Sequence, residues 1–146
     1  MGTLLSTFEL GDHLCAVVAA DVQEVLMSQP CTPVPCSSPW VSGLINLRGQ
    51  VVPTLDLRAR MGVRSSDNDG AMSVVVRRGD EVWSLLVDRI GDVIEVDEAQ
   101  FELPPDTLTG EWRQFIIGAY KLDAKLLLML DVATLLDLSA ELAVAG

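Results

Sequence analysis

The side chains of this chain best suited to thiol or metal chemistry are Cys15, Cys31, Cys36 and His13. Cys31 and Cys36 flank Thr32-Pro33-Val34-Pro35, but a closed zinc site needs four ligands, and the one imidazole lies far away in sequence. An odd number of cysteines with no export signal also argues against a disulfide framework. The three read as free thiols, Cys15 packed in a strand, with no metal bound. Nucleophilic catalysis would have to use His13, which sits beside the Gly11-Asp12 turn where a histidine is ordinarily solvated. The sequence contains no Gly-x-x-x-x-Gly-Lys-Ser/Thr loop, no Gly-x-Gly-x-x-Gly, and no His-x-x-x-His or Glu-x-x-His pair. Adjacent acids such as Asp97-Glu98 read as a solvated loop. The expectation is a chain that is not an enzyme and has no cofactor.

Charge narrows the partners. With 10 Lys+Arg against 21 Asp+Glu the net charge is −11, and a nucleic-acid binder needs the opposite balance to neutralise phosphates. Mean hydropathy is +0.35, yet no apolar run approaches the ~18–20 residues that cross a bilayer. The opening Met1-Gly2-Thr3-Leu4-Leu5 has neither a basic segment nor a cleavage site, which places the protein in the cytoplasm. The charges are also unevenly spread: Arg48, Arg58, Arg60 and Arg64 share a stretch whose one acid is Asp56, whereas Asp88 to Glu111 holds eight carboxylates and one base, Arg89. Either this is ordinary surface solvation or it marks two binding faces with different partners.

The elements that would carry such faces are mostly strands. Leu4, Ser6, Phe8 and Leu10 share one face, and Leu14, Ala16 and Val18 another after the Gly11-Asp12 turn, so half-buried strands pair as a hairpin. Val51 to Arg58 alternates after Arg48-Gly49-Gln50, a further hairpin runs from Ser73 to Val87 through Arg78-Gly79-Asp80, and a fourth surrounds Leu122-Asp123-Ala124-Lys125. Pro33, Pro35 and Pro39 make Cys31 to Pro39 an extended loop. The polar run Arg64 to Gly70 is the best internal boundary, and a C-terminal helix is expected over 131–143 with Leu135, Leu138 and Leu142 on one stripe.

The halves on either side of that boundary resemble each other. A shift of 68 residues lays Gly11-Asp12 on Gly79-Asp80 and Val25-Leu26 on Val93-Ile94; a shift of 75 lays Gly43 on Gly118 and Asp56 on Asp131. The shared order favours an internal duplication. Two similar small β-barrels follow, approximately residues 1–65 and 70–136 with strand exchange between them left open, since closure removes edges that would otherwise pair between molecules.

The run Gly43-Leu44-Ile45-Asn46-Leu47-Arg48-Gly49-Gln50-Val51-Val52-Pro53-Thr54-Leu55-Asp56-Leu57-Arg58 resembles the signature of the CheW-type chemotaxis coupling proteins. The resemblance extends over Phe8-Glu9-Leu10-Gly11-Asp12, Val22-Gln23-Glu24-Val25, Leu86-Val87-Asp88 and Gly91-Asp92-Val93-Ile94, roughly residues 4 to 138. It implies an all-β fold of two SH3-like five-stranded barrels with short helices. It further implies a non-catalytic adaptor that joins the cytoplasmic hairpin tip of a chemoreceptor to the regulatory domain of a CheA-type histidine kinase. By motif position, Glu24, Gly43 and Arg48 would lie by the receptor groove; no kinase-binding residue is assigned.

Each of these three has a structural alternative. Glu24, three residues after Asp21, can close a capping-box-like turn. Gly43 can permit a close backbone approach or a bulge, and Arg48 can brace the barrel junction against an internal acid. Asn46 is expected to bond local backbone and Asp56 to cap a helix. Leu14-Cys15-Ala16-Val17 lacks the aromatic often found in that strand of the family. Two other functions compete: a small-molecule or redox sensor with its ligand at the barrel junction, and an inhibitory paralogue that binds the kinase without the receptor.

Overall fold

Gly11 and Gly79 both take a left-handed conformation, φ 59° at each, as a tight hairpin between right-twisted strands requires. Around them the computed structural model, which describes residues 2–27, 32, 41–58, 72–104, 106, 111–122 and 125–136, builds two hairpins. One joins β1 (Gly2–Leu10) to β2 (His13–Val18), the other β6 (Met72–Arg78) to β7 (Glu81–Val87). The remaining strands are β3 (Val22–Leu26), β4 (Val41–Leu47), β5 (Gln50–Asp56), β8 (Arg89–Asp97), β9 (Phe101–Glu102), β10 (Ile116–Lys121) and β11 (Leu126–Leu130). Short 3-10 turns lie at Ala19–Asp21, Glu98–Gln100 and Glu111–Phe115, and the helix α1 spans Val132–Leu136. The expected continuation of α1 to 143, the loop 33–39 and the connection 64–70 lie outside the described residues.

The strands form two sheets, ordered β8-β1-β2-β11-β10-β9 and β3-β6-β7-β5-β4. In the first, the edge strands β8 and β9 are consecutive in the chain, so the Glu98–Gln100 turn folds the sheet back on itself. In the second, Thr32 follows β3 and bridges Leu44 of β4, with both N···O distances 2.8 Å. The result is two SH3-like barrels, a terminal one (β1, β2, β8–β11) and a central one (β3–β7). The sheets do not follow the linear division near residues 65–70: the hairpin of each half is completed by strands of the other.

The two barrels repeat each other in detail. Both contain one parallel contact, β2 with β11 and β7 with β5. An extra residue bulges β4 between Val41 and Gly43 and β10 between Ile116 and Gly118, positions that the 75-residue shift superimposes. Gly118 is needed where it stands, because a Cβ there would strike the Phe101 ring and lie 2.5 Å from the Glu102 carbonyl.

Period-two alternation holds along β1, but the expected half-buried strand is buried on both faces at its centre, over Leu5 to Phe8. One face lines the terminal barrel, where Leu5, Ala16, Val96, Tyr120 and Leu127 form a core. The other packs Phe8, Leu10, Cys15 and Val17 against Leu55, Leu57, Val74 and Leu85 of the central barrel. That junction core also takes Phe115 and Leu135. Each large apolar side chain fully buried there contributes ~2 kcal/mol. Coverage by the second barrel also explains β5: Val51 is 60% exposed whereas Leu55, in the same phase, is fully buried. The junction proposed for a sensor's ligand is thus occupied by apolar side chains of both barrels.

Candidate functional site

Arg48 and Gly49 form the turn between β4 and β5 with φ of 53° and 86°. A side chain at left-handed φ costs roughly 1 kcal/mol, and this turn type ordinarily selects Asn and Gly. The turn is held by Gly49 N, which donates to Asn46 Oδ1 at 2.8 Å, the local backbone bond expected of Asn46. From this position Arg48 Nη2 reaches Glu24 Oε2 at 2.9 Å. Glu24 projects from β3, which carries an extra residue between Val22 and Glu24 relative to β6. Because β3 and β4 are opposite ends of one sheet order, the ion pair crosses the seam of the central barrel. Its two sides differ: the Arg48 side chain is 78% exposed and that of Glu24 17%. Glu24 Oε1 is buried and has no hydrogen-bond partner among the described residues. The pair therefore presents a guanidinium outward, steadied by a carboxylate that is mostly out of water.

Gly43 is buried in β4, the strand leading into this turn, at φ 152° beside the bulge. The structure thus brings Glu24 and Arg48 into contact and sets Gly43 as a bulge glycine on the same hairpin as Arg48. The capping alternative for Glu24 gives way, because Glu24 lies in a strand and the Ala19–Asp21 turn has no side-chain cap. Bracing of the junction falls to a different arginine.

That residue is Arg58. Its Nε lies 3.2 Å from Asp56 Oδ1 and its Nη1 3.1 Å from Asp88 Oδ1. Asp88 Oδ2 in turn accepts from Gly11 N at 2.6 Å, so the network ties the end of β5 to the hairpin turn of the terminal barrel. Burial opposes the charge on Arg58, but its bonds to Asp56 and Asp88 outweigh that and raise its pKa. By sequence Arg58 belongs with Arg48, Arg60 and Arg64 to one basic stretch. Arg58 is 6% exposed and belongs to the interior, and Arg60 and Arg64 lie outside the described residues. The usable signal was Asp56, two residues away and near the start of a helical turn. Asp56 Oδ1 also accepts from Arg58 N at 3.0 Å, and Asp131 accepts from Thr134 N at 3.3 Å, as the duplicated cap requires.

Cys15 is buried in the junction core, and burial pushes its thiol up to about 12. Cys31 and Cys36 lie outside the described residues. His13 opens β2 opposite Leu10, half-buried, in a recess of about 320 Å³ that it shares with Glu9, Asp12 and Lys125. Among the described residues no three His, Cys, Asp or Glu side chains gather as metal ligands, and no helix is long and apolar enough to cross a membrane.

A family model described as the CheW-like domain matches residues 5–140. The chain belongs to this CheW-like family. Curated relatives include the chemotaxis protein CheW of Treponema pallidum, 30% identical over 133 residues, covering 88% of this chain and 78% of the relative. A probable chemotaxis protein CheW of Rhizobium etli is 31% identical over 134 residues, covering 90% and 85%. The crystal structure of the scaffolding protein TtCheW from Thermoanaerobacter tengcongensis superimposes with a TM-score of 0.83 at 29% identity over 94% of both chains. The strand-exchanged pair of barrels is therefore a CheW architecture, and Cys15, in the strand that lacks the family's frequent aromatic, lies in its junction core.

Proposed function

We propose that this CheW-like chain is a non-catalytic cytoplasmic adaptor that couples the signalling tips of chemoreceptors to a CheA-type histidine kinase. The observation that carries the reading is the likeness to a scaffolding protein over 94% of each chain. On this reading Glu24, Gly43 and Arg48 lie by the receptor groove and form the receptor-binding site. The Glu24–Arg48 pair supports this role because its cation is solvent-facing and already oriented, so little side-chain freedom is lost when an acidic partner docks. The kinase contact is made elsewhere, through its regulatory domain.

Charge reversal at Arg48 tests the reading. Arg48 is exposed but Glu24 is mostly buried, so Arg48→Glu is expected to fold at a cost of about 1–3 kcal/mol. The same variant, placed with receptor tips and kinase in reconstituted arrays, is expected to lose most receptor control of kinase activity. Coupling at the wild-type level would remove Arg48 from the receptor site.

A further inference from the structure

At the mouth of the terminal barrel, away from Glu24 and Arg48, lies a recess of about 500 Å³ whose lining includes Gly2, Glu95, Asp97, Gln100, Tyr120 and Leu122. Its acids are unequal. Asp97 Oδ1 accepts from Ala99 N at 2.9 Å and Glu98, beside it, accepts from Thr3 Oγ1 at 2.6 Å, so both serve the local fold. No ion pair or hydrogen bond ties the Glu95 carboxylate to another described residue. Its side chain lies directly on Gly2, where a Cβ would strike the carboxylate. A glycine there lets Glu95 rest against the β1 backbone at the rim.

Tyr120 is a second, independent feature. It is 7% exposed as a whole and lines the recess, and its hydroxyl, which bonds no other described residue, reaches water there rather than lying among the buried polar atoms. Burial and the charge of Glu98 raise its pKa, in keeping with a negative local potential and a phenol that stays protonated. Phe101 packs against its ring, centroids 5.4 Å apart at 59°, and remains 37% exposed. A lone carboxylate, a phenol whose hydroxyl faces water, an amide and an aromatic edge suit one ligand class, a planar cation carried on an apolar chain.

We propose that this recess receives an arginine side chain of a partner protein, its guanidinium paired with Glu95 and flanked by Tyr120 and Gln100. The exposed Phe101 and Leu103 offer apolar contact to the flanking peptide. The acidic balance of the stretch from Asp88 to Glu111 steers such a partner in. This goes beyond the adaptor reading and does not depend on it.

The test is a titration of isotope-labelled full-length protein with acetyl-Leu-Arg-Leu-amide, followed by amide chemical shifts, beside the same peptide carrying neutral citrulline. The arginine peptide is expected to shift Gly2, Glu95, Gln100 and Leu122 saturably, with the citrulline peptide at least about fivefold weaker. Glu95→Gln removes the charge, and Gly2→Ala displaces the carboxylate while keeping it; each is expected to weaken binding about threefold or more without changing the melting temperature. Equal response to the two peptides, shifts centred elsewhere, or undiminished binding by Glu95→Gln would overturn the proposal.

Discussion

Arg48 shows how a single residue can be legible by type and still surprise by placement. Its position in a hairpin turn and its charge are evident in the sequence, but its partner is not, because Glu24 comes from a strand at the far end of the sheet order. The bulge that aims Glu24 depends on pairing with β6, some fifty residues away, and leaves no local mark. Cys15 carries the clearest prediction at this scale. Its folded pKa, about 12, lies above the ordinary 9.0, so the unfolded chain loses its thiol proton first. The stabilising effect is whole below pH 9 and is lost as pH rises toward 12, at a slope of up to ~1.4 kcal/mol per pH unit. Urea denaturation at pH 8, 9 and 10 should show this decline, and Cys15→Ala should flatten it. An equal decline in that variant would assign the effect to other groups.

The elements were legible where period-two patterns and Gly-Asp turns are local, and even the duplication could be read from the shared order of motifs. What the sequence could not reveal is that the halves exchange strands, because every exchanged pairing is long-range and equally compatible with the alternation. Nor could it show which phases of β1 and β5 are doubly covered. The two barrels differ at a pair of corresponding positions. Ala16 and Met129 pair in the terminal barrel, whereas the corresponding Ser84 and Thr54 pair in the central one. Both hydroxyls are buried and have no hydrogen-bond partner among the described residues. A buried unpaired hydroxyl costs ~1–3 kcal/mol, so the double variant Thr54→Val/Ser84→Ala is expected to gain about 1 kcal/mol of stability. Chemical denaturation measures it, and a loss of that size would show that the hydroxyls are needed in the folded state.

For the whole molecule, two barrels packed on one apolar junction would still be free to slip, and the Asp56–Arg58–Asp88–Gly11 network opposes this by fixing the end of one against a turn of the other. Removing Asp88 leaves Arg58 with one fewer carboxylate and Gly11 N without its acceptor. Asp88→Ala is therefore expected to cost about 2–4 kcal/mol in urea denaturation, and a loss below ~0.5 kcal/mol would mean that the network does not hold the barrels. A fixed relation between barrels matters if each meets a different protein at once. The most direct measurement is the mass of the complex formed when this chain is mixed with a CheA-type regulatory domain and a receptor tip, by light scattering after size exclusion. The adaptor account predicts a ternary species containing all three proteins; two separate binary complexes that exclude one another, or no association at all, would contradict it.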